Sequence, residues 1–231
     1  MPRAKPFEPP MKRIAYYGGT FDPVHCGHLA IAKSLIQLFR LDEFVFIPAF
    51  HAPHKPHISP TSAYHRYAML CLATEGEPQM SVSLMEVETG EKRYSLDTLT
   101  ELTAKNFVNT MFFVMGADSW SDIRTWHEWE RVLLLTNHIV VTRPGYSIET
   151  SHVTEPVRRR IVDIRGYDED GIRSIVDSAS FGPRIFVTDA VRFDISATEI
   201  RDDIGADDVL DRTDAVTEAV AKYIEKYELY R

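Results

Sequence analysis

The stretch that most constrains this chain is Tyr16-Tyr17-Gly18-Gly19-Thr20-Phe21-Asp22-Pro23-Val24-His25-Cys26-Gly27-His28. Before it, Arg13-Ile14-Ala15-Tyr16-Tyr17 has the β-branched and aromatic content of a short buried strand. After it, Leu29, Ala32, Leu35, Ile36 and Phe39 recur at helical spacing, so the loop feeds an amphipathic helix. A strand, a glycine turn and a helix start together place backbone N–H groups and a positive helix end where an anion can meet them. Gly18 and Gly19 have no Cβ to hold a ligand off the backbone. His25 and His28, three apart at the helix start, can turn toward one bound group. A tight turn with two surface or capping histidines is the alternative, and the paired glycines seven residues upstream argue against it. The turn has no G-x-G-x-x-G, and the chain has no G-x-x-x-x-G-K-[ST].

The rest of the chain repeats the same plan. Near-continuous apolar runs at Glu43-Phe44-Val45-Phe46-Ile47, residues 80–84, Met111-Phe112-Phe113-Val114-Met115, His138-Ile139-Val140-Val141-Thr142 and residues 184–187 read as strands. Helical patterns lie between them at about residues 61–74 and 95–107, and Val216, Val220, Tyr223, Ile224 and Tyr227 mark another near the C-terminal end. Strands that are apolar on both faces and alternate with helices predict a parallel sheet covered on each side. In such a sheet ligands bind beyond the carboxyl ends of the strands, which is where every motif noted here falls. Residues 151–183 are more polar, with Arg158-Arg159-Arg160 and Asp168-Glu169-Asp170, and read as an insertion of helix and loop with solvated charges. Residues 1–11, with four prolines, read as a disordered tail.

Composition limits the function. A net charge of −8 argues against a nucleic-acid-coating protein, though a phosphate ligand needs only a local cluster of cations. Two cysteines give no disulfide framework, and no apolar run is long enough to span a membrane, so a cytoplasmic location is expected. His51, His54 and His57 with His25, His28 and Cys26 could be drawn as a zinc cluster, but their spacing fits no standard ligand set and no resident metal is expected. Asp194-Ile195-Ser196-Ala197-Thr198-Glu199-Ile200-Arg201 reads equally as a capping box on Ser196 and as an anion site at a helix start.

Gly18-Gly19-Thr20-Phe21-Asp22-Pro23-Val24-His25-Cys26-Gly27-His28-Leu29 resembles the signature of the nucleotidyltransferase superfamily and, more closely, of its bacterial nicotinate-nucleotide adenylyltransferases. Pro53-His54-Lys55, Tyr94-Ser95-Leu96-Asp97-Thr98, Gly116-Ala117-Asp118, Trp126, Arg143-Pro144-Gly145 and Ile195-Ser196-Ala197-Thr198-Glu199-Ile200-Arg201 resemble further family segments in order. Ser95 stands where the family has threonine, and Ala197 where many members have serine.

The resemblance implies a Rossmann-like doubly wound parallel sheet with a small helical C-terminal part: one domain over residues 12–231, with residues 150–183 an insertion and 197–231 the helical part. It implies catalytic roles for His25, His28, Lys55 and Arg201. ATP would be bound by Gly18, Gly19, Thr20, Phe21, Gly116, Asp118, Ser196 and Thr198. The mononucleotide would be bound by Tyr94, Ser95, Asp97, Thr98, Trp126 and Arg143. The reaction implied is adenylyl transfer from ATP, with Mg²⁺, to nicotinate mononucleotide, giving deamido-NAD and pyrophosphate. Nicotinamide mononucleotide and phosphopantetheine are alternative acceptors, and a non-catalytic nucleotide-binding regulator is the alternative of another class. No nucleic acid or membrane partner is implied, and association of the chain with itself is left open.

Overall fold

A computed structural model describes residues 11–51, 60–142, 148–178, 182–189, 195–207 and 215–231. Its centre is a seven-stranded sheet in the order β3-β2-β1-β4-β5-β7-β6, with every neighbouring pair parallel. The strands are β1 (Arg13–Gly19), β2 (Glu43–Pro48), β3 (Met80–Val82), β4 (Thr110–Gly116), β5 (Asn137–Val141), β6 (Ile161–Asp163) and β7 (Ile185–Thr188). The helices, in chain order, are α1 (Cys26–Phe39), α2 (Ala63–Ala73), α3 (Ser95–Lys105), α4 (Ala117–Ser121), α5 (Trp129–Leu135), α6 (Glu155–Arg158), α7 (Glu169–Ser178), α8 (Ala197–Asp207) and α9 (Glu218–Lys226), with a 3-10 turn at Ile123–Thr125.

Alternate residues of each strand supply two separate cores, as the period-2 geometry of a strand requires. On one face Ala15, Phe44, Phe46, Phe112, Val114 and Phe186 pack with residues of α1, α2, α7, α8 and α9. On the other, Ile14, Tyr16, Ile47, Met111, Phe113 and Met115 pack with residues of α3, α5 and α6. This is the doubly wound sheet that the apolar strands predict.

The chain order reverses between β1 and β4, because β1 is followed outward by β2 and β3 while β4 opens the other half. The loops leaving β1 and β4 therefore diverge to opposite faces and leave an opening above the carboxyl ends of the two strands. Gly18 pairs in register with Ile47, and Tyr17 with both Phe46 and Val114, so the end of β1 is flanked on both sides.

Residues 150–183 depart from the helix-and-loop reading. They contribute β6, which pairs with β7 at the sheet edge, and α7, whose Ile172 and Val176 join the first core. Ile161-Val162-Asp163 is too short to show a strand period, and its pairing is supplied by β7, which follows α7.

His138 lies within β5, fully buried. Its Nδ1 is 2.9 Å from the Thr136 carbonyl, while Nε2 has no partner among the described residues. Burial pushes this imidazole down to about 4, and His25 likewise. Between those values and the ordinary 6.5 the unfolded chain binds more protons than the folded one, so stability falls as pH drops through that window. The expected loss between pH 6.5 and 4 is on the order of 2–3 kcal/mol for each histidine. Urea unfolding of the His138→Leu variant across that range should show a smaller loss by that amount; an unchanged slope would place the acid sensitivity elsewhere.

Candidate active site

A cavity of about 380 Å³ opens where β1 and β4 diverge. Its floor and walls come from the ends of those strands, from the loop 18–21, from α1, from the start of α3 and from the segment after β4. Gly18, Gly19, Thr20, Phe21, His28, Ser95, Thr98, Gly116, Asp118 and Trp126, all singled out in the sequence, line it together.

The glycines answer first to the protein's own packing. A Cβ on Gly19 would lie 2.8 Å from the tip of the Phe21 ring, and one on Gly18 would lie 3.2 Å from that of Phe113. Phe21 takes a positive φ of 52° and turns its ring inward against Tyr17, His28 and Phe46, at centroid distances of 5.3, 5.0 and 5.5 Å. The glycine turn is thus closed on its core side by aromatic rings and faces the cavity with its backbone.

His25 and His28 stack with ring centroids 3.7 Å apart and an interplanar angle of 28°. His28 Nδ1 accepts from the His25 backbone N–H at 3.2 Å, which leaves the proton of the neutral ring on Nε2. Burial holds His25 down to about 4; burial and the neighbouring His25 hold His28 well below the ordinary value. At neutral pH both rings are therefore uncharged, and His28 is the one that reaches the cavity wall.

The loop between β1 and α1 is clasped from outside. Arg66 is completely buried on α2, and its guanidinium donates to the carbonyls of Thr20 at 2.6 Å, Ala49 at 2.7 Å, Phe50 at 3.2 Å and Thr61 at 2.8 Å. Arg201 on α8 donates to the Asp22 carbonyl at 2.6 Å and to Thr198 Oγ1 at 3.1 Å, and Ser196 Oγ accepts from the Thr198 N–H at 3.2 Å. The start of α8 thus meets the loop at residue 22, but Ser196, Thr198 and Arg201 are outside the set that lines the cavity.

On the opposite wall Thr98 donates to Glu86 Oε1 at 2.6 Å, and burial pushes that carboxyl up. Arg93 reaches the cavity while pairing with Glu101 and donating to the Asp97 carbonyl. Tyr94 and Asp97, by contrast, are exposed and do not line the cavity, and the Tyr94 ring lies 4.6 Å from that of His127. Of the tryptophans, Trp126 faces the cavity, Trp120 is buried with Nε1 on the Glu149 carbonyl, and Trp129 is packed on the second core. Lys55 and Arg143 lie outside the described residues.

The sequence reading missed Glu86, Arg93, Ser119 and Asp122 on the walls, and Arg66, whose position was legible. It shares the helical spacing of Ala63, Met69, Leu70 and Ala73, the buried residues of α2, where an unpartnered arginine would be costly.

The cytidylyltransferase-like family model matches residues 16–203, most of the chain. A nicotinate-nucleotide adenylyltransferase, so named as probable, from Desulfatibacillum aliphaticivorans is 34% identical over 94% of this chain and 99% of its own length. This chain belongs to that family. A second relative of the same name, from Citrifermentans bemidjiense, is 41% identical over 82% of this chain and 85% of its own length. The fold is shared with the nicotinic acid mononucleotide adenylyltransferase of Plasmodium falciparum, solved as complexed with NaAD, at a TM-score of 0.68 and 20% identity over 95% of this chain and 97% of that one.

Removing the Arg66 guanidinium would leave four loop carbonyls short of a donor. Arg66→Met is expected to cost about 3–5 kcal/mol of stability, the range for breaking a buried charged network. Urea unfolding would measure it, and a loss below about 1 kcal/mol would mean that the loops hold their places without the clasp.

Proposed function

We propose that this chain transfers the adenylyl group of ATP to nicotinate mononucleotide, yielding deamido-NAD and pyrophosphate in NAD biosynthesis. The observation that carries the reading is that His28 and Trp126 line one cavity at the β1–β4 opening. A hydrogen-bond donor for phosphate and an aromatic ring to stack on a pyridine thereby border one space of nucleotide size. The names of the relatives support it.

In this reading a phosphate oxygen of the mononucleotide attacks the α-phosphorus of ATP. A new P–O bond forms there, the bond to the oxygen bridging to the β-phosphorus breaks, and pyrophosphate leaves with that electron pair. The attacking oxygen is already anionic, so the residues position the partners and stabilise developing charge. The Nε2–H of His28 donates to the α-phosphate or its leaving oxygen, and the amides of Gly19, Thr20 and Phe21 face the triphosphate. Ser196, Thr198 and Arg201 act from the start of α8, and Lys55 supplies a further cation. Gly116 and Asp118 sit beside the adenosine. Trp126, Ser95 and Thr98 hold the pyridine end, with Tyr94 and Asp97 at its margin and Arg143 a further mononucleotide contact.

Among the described residues no group of three metal-ligating side chains comes together. An ion that reaches the site on the phosphates of ATP keeps much of its water and needs few protein ligands. Mg²⁺ so carried would neutralise charge on the triphosphate.

Pyrophosphate release with ATP, Mg²⁺ and, in parallel, nicotinate mononucleotide, nicotinamide mononucleotide and phosphopantetheine tests the proposal. A strong preference for the first is expected; turnover of phosphopantetheine alone would overturn the assignment of Trp126. His28→Ala should keep the fold and lower kcat by about 10²–10³, the effect of losing one charge-stabilising donor; near-normal turnover in a folded variant would remove His28 from the mechanism. Trp126→Ala should raise KM for the mononucleotide and leave that for ATP in place, whereas equal weakening of both would make Trp126 a packing residue.

A further inference from the structure

Asp22 sits between the glycine turn and the histidines and is only 7% exposed. Three elements converge on it. Its Oδ2 accepts from the Thr61 backbone N–H at 3.0 Å, and its carbonyl accepts from Arg201 at 2.6 Å. Its Oδ1 accepts from the hydroxyl of Tyr230 at 2.7 Å. The last contact joins residues 208 positions apart. A hydroxyl donating to a buried carboxylate at that distance is among the stronger hydrogen bonds available to a neutral side chain.

The backbone after α9 is shaped to make this contact. Glu228, at φ 51°, closes the helix in the usual left-handed way, with Leu229 N–H returning to the Ile224 carbonyl at 3.1 Å. Tyr230, two residues on, is left-handed again at φ 70°, which the helix ending does not require. A non-glycine residue keeps such a conformation where its surroundings over-determine it. Burial and the adjacent Asp22 push the phenol up, so it remains a donor at working pH.

We propose that Tyr230 is a positioning residue for nucleotide binding: its hydroxyl holds the Asp22 carboxylate and, through it, the adjoining backbone of Gly19, Thr20 and Phe21, whose amides meet the phosphates of ATP. The proposal rests on the reading of that loop as the element that holds ATP. Tyr230 itself is not among the residues that line the cavity, so it acts through the loop. Of the bonds to Asp22 and Thr20, it is the one that can be deleted as a single oxygen atom, with no charge removed and no backbone group left unpaired.

Calorimetric titration of ATP with Mg²⁺, steady-state kinetics and thermal melting would be run on the wild type, Tyr230→Phe and Ile224→Val. Ile224→Val loosens α9 in the core without touching Asp22. Tyr230→Phe is expected to bind ATP about tenfold more weakly and to raise KM for ATP correspondingly, the scale of one hydrogen bond to a charged group. Its KM for the mononucleotide should hold, and its melting temperature should fall by several degrees, no more than that of Ile224→Val, as loss of one hydrogen bond to a buried carboxylate requires. Ile224→Val should melt lower and bind ATP as the wild type does. Unchanged ATP affinity in Tyr230→Phe would overturn the proposal, as would an equal loss in Ile224→Val, which would trace the effect to general loosening of α9. A wild-type chain that binds no ATP would overturn the reading of the loop, and the role of Tyr230 with it.

Discussion

The buried guanidinium of Arg66 is the interaction on which the rim of the cavity depends. Loops that leave the carboxyl ends of parallel strands carry carbonyl groups that no neighbouring strand can satisfy, and inside a protein each must find a donor. Here one side chain serves the loop after β1, the loop after β2 and the approach to α2 through four carbonyls. The planar, forked guanidinium can do this, whereas a lysine ammonium offers fewer donors in no fixed plane. Burial alone would penalise that charge, and the Asp22 carboxylate offsets it. Asp22 is in turn satisfied by Thr61 and Tyr230, so the clasp and the loop it grips form one polar network beneath the site.

The network can be this specific because the sheet around it is not negotiable. Strand order places β1 and β4 side by side at the reversal, and the alternation of Ala15 and Val114 against Tyr16 and Phe113 between two cores locks the register. A slip of one residue would send each of these side chains to the wrong face. The Gly18–Phe113 and Gly19–Phe21 contacts use that fixed register to seat aromatic rings where Cβ atoms would otherwise stand. The glycines are therefore as much a packing requirement as an opening for a ligand.

Much of this was legible in the sequence because the informative signals are local. β1, β2, β4, β5 and β7 announce themselves by apolar runs, and the turn after β1 by its glycines and paired histidines. β6 was not legible, since three residues carry no period and only tertiary pairing with β7 makes them a strand. Tyr230 on Asp22 and Arg93 on the cavity wall were hidden for the same reason: which surface a tyrosine or an arginine meets is decided by tertiary packing. The start of α8 was ambiguous as a cap or an anion site, and its groups do bond to one another and to the loop at Asp22. Arg66 was the one positioning residue with a readable signal, a charge on the buried stripe of α2.

The histidine pair follows from the same economy of charge. Two imidazolium rings stacked 3.7 Å apart would repel by about 4 kcal/mol even at an effective dielectric constant near 20. Burial and mutual proximity therefore keep the pair neutral. A neutral His28, with Nδ1 occupied by a backbone amide, still presents an Nε2–H donor, and that donor needs no counter-ion while the site waits for substrate. The cavity wall already carries Asp118 and Asp122, and a fixed cation at His28 would be drawn toward them. An uncharged donor held rigid by Phe21 and Tyr17 remains aimed at the space itself. When an anion enters that space, the field it brings favours a proton on the pair, so positive charge can develop at His28 where and when a phosphate is there to meet it.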